Sequence, residues 1–313
     1  MYDKMMHFWK EKDGLRQLLL NEPRGRSSMN TNLILPACDP RADVGFLIME
    51  SDEWAPMSGS NTICTTTVLL ETGMVPMVEP VSKIALDTAA GLVRVTAECE
   101  AGKCKSVSLD NVPSFVFALD LEVDVPGLGK VLVDIAWGAM WFALIDVSAV
   151  GLKIESRNGA KLVEVGERIK RAVQARINPV HPENPELGGV SAVAFTAPLE
   201  DWQDGKTAVN TVVISPGRLD RSPCGTGTSA RLAVLHAKGL LKENEILRHE
   251  SITGTEFFAH IRGTCKIGVY DAVLPTIKGS AWITSFKQVV LDPTDPFPQG
   301  FRVSDQWHVP DEE

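Results

Sequence analysis

The chain has no excess of positive charge. Its 313 residues include 31 Lys or Arg against 40 Asp or Glu, a net charge of -9. That balance argues against a nucleic acid as partner, while local fields can still suit a small zwitterion. Long apolar runs are also missing. The most apolar stretch, IAWGAMWFALI at 135–145, is bounded by Asp134 and Asp146 and is too short to span a bilayer; it reads as a buried strand, and no membrane partner is expected. The opening residues MYDKMMHFWKEKDG hold no apolar core of a secretion signal, so a cytoplasmic protein is expected. Six cysteines, Cys38, Cys64, Cys99, Cys104, Cys224 and Cys265, contain no C-x-x-C pair. Reduced thiols are expected, with all but Cys224 acting as small buried hydrophobes. The six histidines show no metal-ligand spacing, so no metal is expected. There is no G-x-G-x-x-G and no Walker lysine for a nucleotide.

What is present fits a globular protein, with 44% apolar and 23% charged residues. Apolar residues at helical spacing run over 4–20, interrupted near Gly14 and ended by EPRG at 22–25. Strands are expected at 42–50, 91–99, 113–123, 207–215 and 255–263 and over AWITSFKQVVL at 281–291. An amphipathic helix is expected at 160–177.

Two stretches share their punctuation: MSGSNTICTTTVLLETG at 57–73 and PCGTGTSARLAVLHAKG at 223–239. Ser58 lies as far before Gly73 as Cys224 before Gly239. In the same register Gly59 matches Gly225, Ser60 matches Thr226, and Thr62 matches Thr228. Both stretches read as a strand, a sharp turn and a helix closed by glycine, and their gapless match indicates an internal duplication. The expected division is 1–120 for the first repeat and 121–313 for the second, with the last strands, about 280–313, packing back on the first. The second repeat opens with strands around 117–150 that have no counterpart before the first helix. The first repeat is therefore expected to lack its opening strands.

Each motif puts a small nucleophile-type side chain at the start of a helix. The glycine after it admits a ligand to the backbone. The free N–H groups and the dipole favour an anion there, and the same field lowers a thiol's pKa. If the two helix starts face one cavity, a substrate carboxylate can be held by their amides while Cys224 takes the α-proton, with Ser58 on the other side. The scheme needs no cofactor. Asp220 reads equally as a turn residue and as part of that cavity.

DRSPCGTGTSARLAVLHAKG at 220–239 closely resembles the second active-site motif of the proline racemase family, which includes 4-hydroxyproline 2-epimerases and trans-3-hydroxy-L-proline dehydratases. LLLNEPRG, HPENPELGGVS, ESITGTEFFAHI and LDPTDPFPQGF are similar to that family too, so the resemblance covers nearly the whole chain. It implies a mixed α/β (α+β) fold of the diaminopimelate epimerase type: two pseudo-symmetric halves, each a curled sheet around a central helix, with the site between them. It also implies catalysis without pyridoxal phosphate. Carried over by position, Cys224 is one catalytic residue and Ser58 replaces the other, because MSGS stands where the family has M-C-G-H. Gly59, Ser60, Gly225 and Thr226 fall where the family binds substrate, and Asp220 falls where it holds the ring nitrogen. Ser60 replaces the usual histidine, AWGAMWF at 136–142 departs from a Y-G-G-type strand, and the family's H-T-x-G-E-P segment is absent.

The implied substrate is a small imino acid, and a homodimer is compatible with the reading. Two-base inversion needs an acid and a base on opposite faces of the α-carbon, and serine is a weak acid beside a thiol. On that ground the main expectation is dehydration of trans-3-hydroxy-L-proline. The alternative is 2-epimerisation of 4-hydroxyproline, with proline racemisation the remotest form of it. A non-catalytic amino-acid-binding protein is the alternative of another class.

Overall fold

The computed structural model describes residues 1–214 and 217–303. The chain divides into two compact units, Met1–Leu109 with the described part of Ser280–Glu313, and Asp110–Gly279.

In the first unit, helices α1 (Tyr2–Glu11) and α2 (Gly14–Leu20) precede strands β1 (Thr31–Leu35) and β2 (Val44–Met49), helix α3 (Gly59–Glu71), and strands β3 (Val81–Thr88), β4 (Gly91–Glu100) and β5 (Lys103–Asp110). The five strands lie in the order β1-β2-β3-β4-β5, antiparallel except for β2 with β3. β2 is apolar at almost every position because both its faces are covered. Leu47 and Met49 join Met5, Leu20 and Trp54 in a core under α1 and α2, while Phe46 and Ile48, on the other face, are equally buried. Trp54 Nε1 donates to Asp13 at 2.8 Å. The Arg16 guanidinium, 2.7 Å from the same carboxylate, holds Asp13 down to about 2. At its far end α3 is tied to β5: Glu71 accepts the backbone N–H of Cys104 at 3.1 Å and pairs with Lys103.

The second unit is a closed barrel around a helix. Its strands are β6 (Ser114–Val125), β7 (Gly129–Trp137), β8 (Trp141–Asp146), β9 (Ala192–Thr196), β10 (Gly205–Ile214), β11 (Leu247–Ser251), β12 (Glu256–Ile267) and β13 (Tyr270–Gly279), with helix α4 (Gly159–Arg176) after β8 and α5 (Gly225–Ala237) after β10. Each strand pairs with the next, and β13 closes on β6 through Ala272 opposite Phe115 and Val273 opposite Ser114. Closure leaves this sheet no free edge. Alternation along the strands sorts the side chains into two layers. Ala136, Phe142, Leu144, Ala192, Ala194 and Val212 pack with Cys224, Ala230 and Val234 of α5. Their neighbours Ile135, Ala143, Ile145, Val193, Phe195 and Val213 pack with Leu162, Val165, Ile169 and Val173 of α4. A barrel wall covered on both faces needs apolar residues at both parities, and this explains the unbroken run at 135–145. That run is a hairpin rather than one strand: Gly138 N–H donates to Met140 O at 3.0 Å and turns the chain between β7 and β8.

Two other expectations change. AWITSFKQVVL at 281–291 forms no strand. Period-2 patterning makes a strand only where a neighbouring backbone completes the ladder. Here the segment is held by side chains, with Arg24 Nε on Val290 O at 3.2 Å, and Trp282, Phe286 and Val290 stay exposed. Of the cysteines read as buried hydrophobes, only Cys99 and Cys104 are; Cys38 and Cys64 are exposed and Cys265 is intermediate. Residue 120, where the sequence reading divides the chain, lies within β6. The expected strand end at 215 and the part of 280–313 beyond 303 lie outside the described residues.

Candidate active site

The two motif helices have the same length and the same C-terminal ends. α3 and α5 each span 13 residues, and their C-caps Thr72 and Lys238 are followed by Gly73 at φ 73 and Gly239 at φ 69. Glycine is needed at both because the chain leaves the helix in the left-handed region. The first-turn bonds also match: Thr62 N–H reaches Ser58 O at 2.9 Å, and Thr228 N–H reaches Cys224 O at 2.8 Å.

The N-termini differ. Cys224 holds φ 65 and ψ 109, an uncommon conformation for a residue with a Cβ, which costs about 1–3 kcal/mol and persists only where its surroundings enforce it. The enforcing bonds are local. Asp220 accepts both the N–H and the hydroxyl of Ser222, at 3.0 and 3.1 Å, and Ser222 Oγ accepts the N–H of Cys224 at 3.1 Å. Sγ accepts the N–H of Gly227 at 3.4 Å and lies 3.5 Å from Thr226 Oγ1. A side chain on Gly227 would press on Sγ, since its Cβ would sit 3.2 Å away. The thiol is therefore seated on the first turn of α5 and 8% exposed. Burial pushes the Asp220 carboxyl up from its ordinary value, against the bonds from Ser222 and the charge of Arg218. The turn reading of Asp220 and its place beside Cys224 are thus one arrangement.

In the first unit Ser58 is extended, at φ -152 and ψ 124, and its side chain makes no capping bond to the helix backbone. Asn61 Nδ2 donates to Ser58 Oγ at 2.9 Å instead, and Ser60 Oγ is 3.4 Å away. Gly59 is buried between Ser58 and Ser60, which are both partly open. The structure thus gathers Asp220, Cys224, Gly225 and Thr226 around the start of α5, and Ser58, Gly59 and Ser60 around the start of α3. Sequence reasoning missed Ser222, Asn61 and the Gly138–Met140 turn, whose Met140 sulfur lies 4.0 Å from Thr226 Oγ1. For Ser222 and Asn61 the available signal was their position beside or within the two motifs, and the turn had none of that kind. A cavity of about 590 Å³ in the first unit, lined by residues that include Arg24, Arg26 and Lys287, contains none of the expected site residues.

Behind the start of α5, Thr228 Oγ1 is 2.9 Å from His249 Nδ1. Burial and the nearby Arg231 charge bring the His249 pKa down to about 3, so the ring is neutral in the folded protein at neutral pH. The sign of the linkage follows. Between that value and the ordinary 6.5 the unfolded chain binds a proton that the folded one excludes, so stability is full above pH 6.5 and falls with acidification by up to about 1.4 kcal/mol per pH unit. The expected loss from this group between pH 7 and pH 5 is about 2 kcal/mol. Urea unfolding of the parent and of His249→Asn at both pH values checks it, and equal pH dependence in the two proteins would refute it.

Among the described residues no helix is long and apolar enough to cross a membrane, and no cluster of three His, Cys, Asp or Glu side chains is placed to hold a metal. The family model for proline racemase matches residues 1–302. A 4-hydroxyproline 2-epimerase of Rhizobium etli is 44% identical over 295 residues, which are 94% of this chain and 84% of that protein. A hydroxyproline epimerase of Agrobacterium vitis, crystallised with trans-4-hydroxy-L-proline, is 42% identical and superposes with a TM-score of 0.89 over 98% of this chain and 88% of its own. A PhzF-family phenazine biosynthesis protein of Bacillus anthracis, 12% identical, has a TM-score of 0.53 over 90% of this chain and 86% of its own, a likeness of fold alone.

Proposed function

We propose that this chain, which belongs to the proline racemase family, epimerises 4-hydroxyproline at its α-carbon, with Cys224 and Ser58 as the two acid–base groups. The observation that carries the reading is the high identity, along nearly the whole chain, to one 4-hydroxyproline 2-epimerase and to another epimerase solved with trans-4-hydroxy-L-proline. It replaces the emphasis on dehydration of trans-3-hydroxy-L-proline. That emphasis rested on the weak acidity of serine in isolation, and Ser58 is not isolated.

In this reading Gly225 and Thr226 bind the substrate carboxylate through the amides at the start of α5, where the helix dipole favours an anion, and Gly59 and Ser60 are further substrate-binding residues. Asp220 pairs with the ring nitrogen. The Cys224 thiolate removes the α-proton, and the electron pair left on carbon delocalises into the carboxylate that the amides stabilise. The Ser58 hydroxyl delivers its proton to the other face. The reverse reaction exchanges the two roles, and every step is a proton transfer.

The test is incubation with trans-4-hydroxy-L-proline and with trans-3-hydroxy-L-proline in separate reactions, following the products by chiral chromatography and by absorbance of an imine. The expected result is the 2-epimer of the first, at a rate at least tenfold above any loss of water from the second. Preferential dehydration of the 3-hydroxy compound would restore the original emphasis. No change in either would favour a binding protein.

A further inference from the structure

Serine is the weaker acid of the pair by several pH units, so epimerisation asks what makes Ser58 able to give up a proton. The equivalent positions of the two helices answer differently. At the third residue of α5, the backbone N–H of Gly227 points at Cys224 Sγ. At the third residue of α3, the corresponding contact is made by a side chain, Asn61 Nδ2, at 2.9 Å from Ser58 Oγ, and the Ser58 side chain receives no capping bond from the helix backbone. The gap between 58 and 61 equals that between 224 and 227. Asn61 is 7% exposed, so its amide is withdrawn from water, where a hydrogen bond to a developing anion is at its strongest. Its backbone is held separately, through Asn32 Nδ2 on Asn61 O at 3.4 Å.

We propose that Asn61 is a positioning residue that lets Ser58 act as an acid: its carboxamide N–H stabilises the Ser58 oxygen as the hydroxyl proton leaves, and it turns the O–H away from the amide. The inference rests on the epimerase reading above. In the forward step the Ser58 O–H bond breaks, the proton forms the new C–H bond, and the electron pair stays on Oγ, facing the Asn61 amide. In the reverse step the same oxygen recovers the α-proton. Nothing is oxidised or reduced.

The first experiment follows deuterium exchange at the α-carbon of each epimer separately, so that the two faces are distinguished. Asn61→Ala should slow exchange on the Ser58 face by about 10²-fold and leave the Cys224 face within a factor of three. Asn61→Asp keeps the shape but puts a negative charge beside the forming alkoxide, and should be slower still. A residue needed only for packing would show the opposite order. In a Ser58→Cys background the cost of Asn61→Ala should shrink below tenfold, because a thiol needs less help. Equal losses on both faces, a milder effect of Asn61→Asp than of Asn61→Ala, or an undiminished cost in the Ser58→Cys background overturns the proposal.

A second measurement does not depend on turnover. The thiol introduced by Ser58→Cys is alkylated across a pH series, with and without Asn61→Ala. Asn61 should keep the midpoint lower by about one pH unit, the effect of one hydrogen bond to an anion. Coincident midpoints overturn the proposal even if the parent turns over neither hydroxyproline, whereas a separation with no turnover counts against the epimerase reading alone.

Discussion

Replacing Cys224 with serine should cut α-proton exchange on the Cys224 face by on the order of 10³-fold or more, the range expected when the base of that face is lost. The argument is local to α5. The thiol sits at φ 65 on the first helical turn, held there by the Asp220–Ser222 bridge to its own N–H. It faces the start of a helix, where a negative charge is favoured. The replacement keeps the size of the side chain and the bonds of the bridge, so the fold should stay within about 0.5 kcal/mol of the parent. Activity and stability are thereby separated: exchange into D₂O collapses while the urea midpoint stays. Alkylation adds a site-specific check. Cys38 and Cys64 are exposed and will also be labelled, so modification must be read peptide by peptide. Hydroxyproline should protect Cys224 and leave those two unaffected. Should Cys224→Ser exchange at the parent rate, the proton-transfer scheme fails whatever the substrate.

The parts of this arrangement that were legible in the sequence are those fixed by local chemistry. The ends of α3 and α5 could be read because a small polar residue starts each and a left-handed glycine ends each. The alternation of β4 could be read because only one parity of its middle residues, including Val95, Ala97 and Cys99, is buried. The barrel wall was harder. A strand between α4 and α5 is buried on both faces, so β7, the Gly138 turn and β8 merge into one apolar run with no period to divide it. The reverse error occurred at 281–291, where a clear strand pattern finds no neighbouring backbone in the described structure. In the site, Cys224 and Ser58 stood out by residue type and register. Ser222 and Asn61 did not, because a serine in a turn and an asparagine in a helix have many uses. Their geometry appears only once the backbone brings Oγ and Nδ2 to hydrogen-bonding distance of their partners. The neutrality of His249 depends on its burial in a strand paired on both sides, by β10 and β12, which no local pattern carries.

Gly138→Ala should lower both stability and activity, through contacts that lie wholly within the second unit. The turn between β7 and β8 runs so close to α5 that a Cβ on Gly138 would stand 2.2 Å from the carbonyl oxygen of Thr226 and 2.6 Å from the nitrogen of Ala230. Both are backbone atoms, so no side chain can rotate aside to make room. Either the turn lifts or the first turn of α5 moves. The contact is also stapled by polar bonds: Asn111 Nδ2 donates to Gly138 O at 3.2 Å and to Ser229 Oγ at 2.8 Å, and Ser229 in turn donates to Gly225 O at 3.0 Å. Lifting the turn breaks these bonds in a buried setting, which adds to the cost of overpacking. A destabilisation of about 3 kcal/mol, the upper part of the overpacking range, is expected. Moving α5 instead displaces Thr226 and Gly227, and with them the support of the Cys224 thiol. A misplacement of about 1 Å can cost about 10²-fold in rate, so exchange should fall by that much even below the unfolding transition. Gly263→Ala in β12 is the control, because its Cβ would meet no atom within 4 Å, and it should stay within about 0.5 kcal/mol of the parent. Urea unfolding and α-deuterium exchange on both variants decide the matter. A Gly138→Ala protein as stable and as active as the Gly263→Ala control would show that the turn does not press on the start of α5.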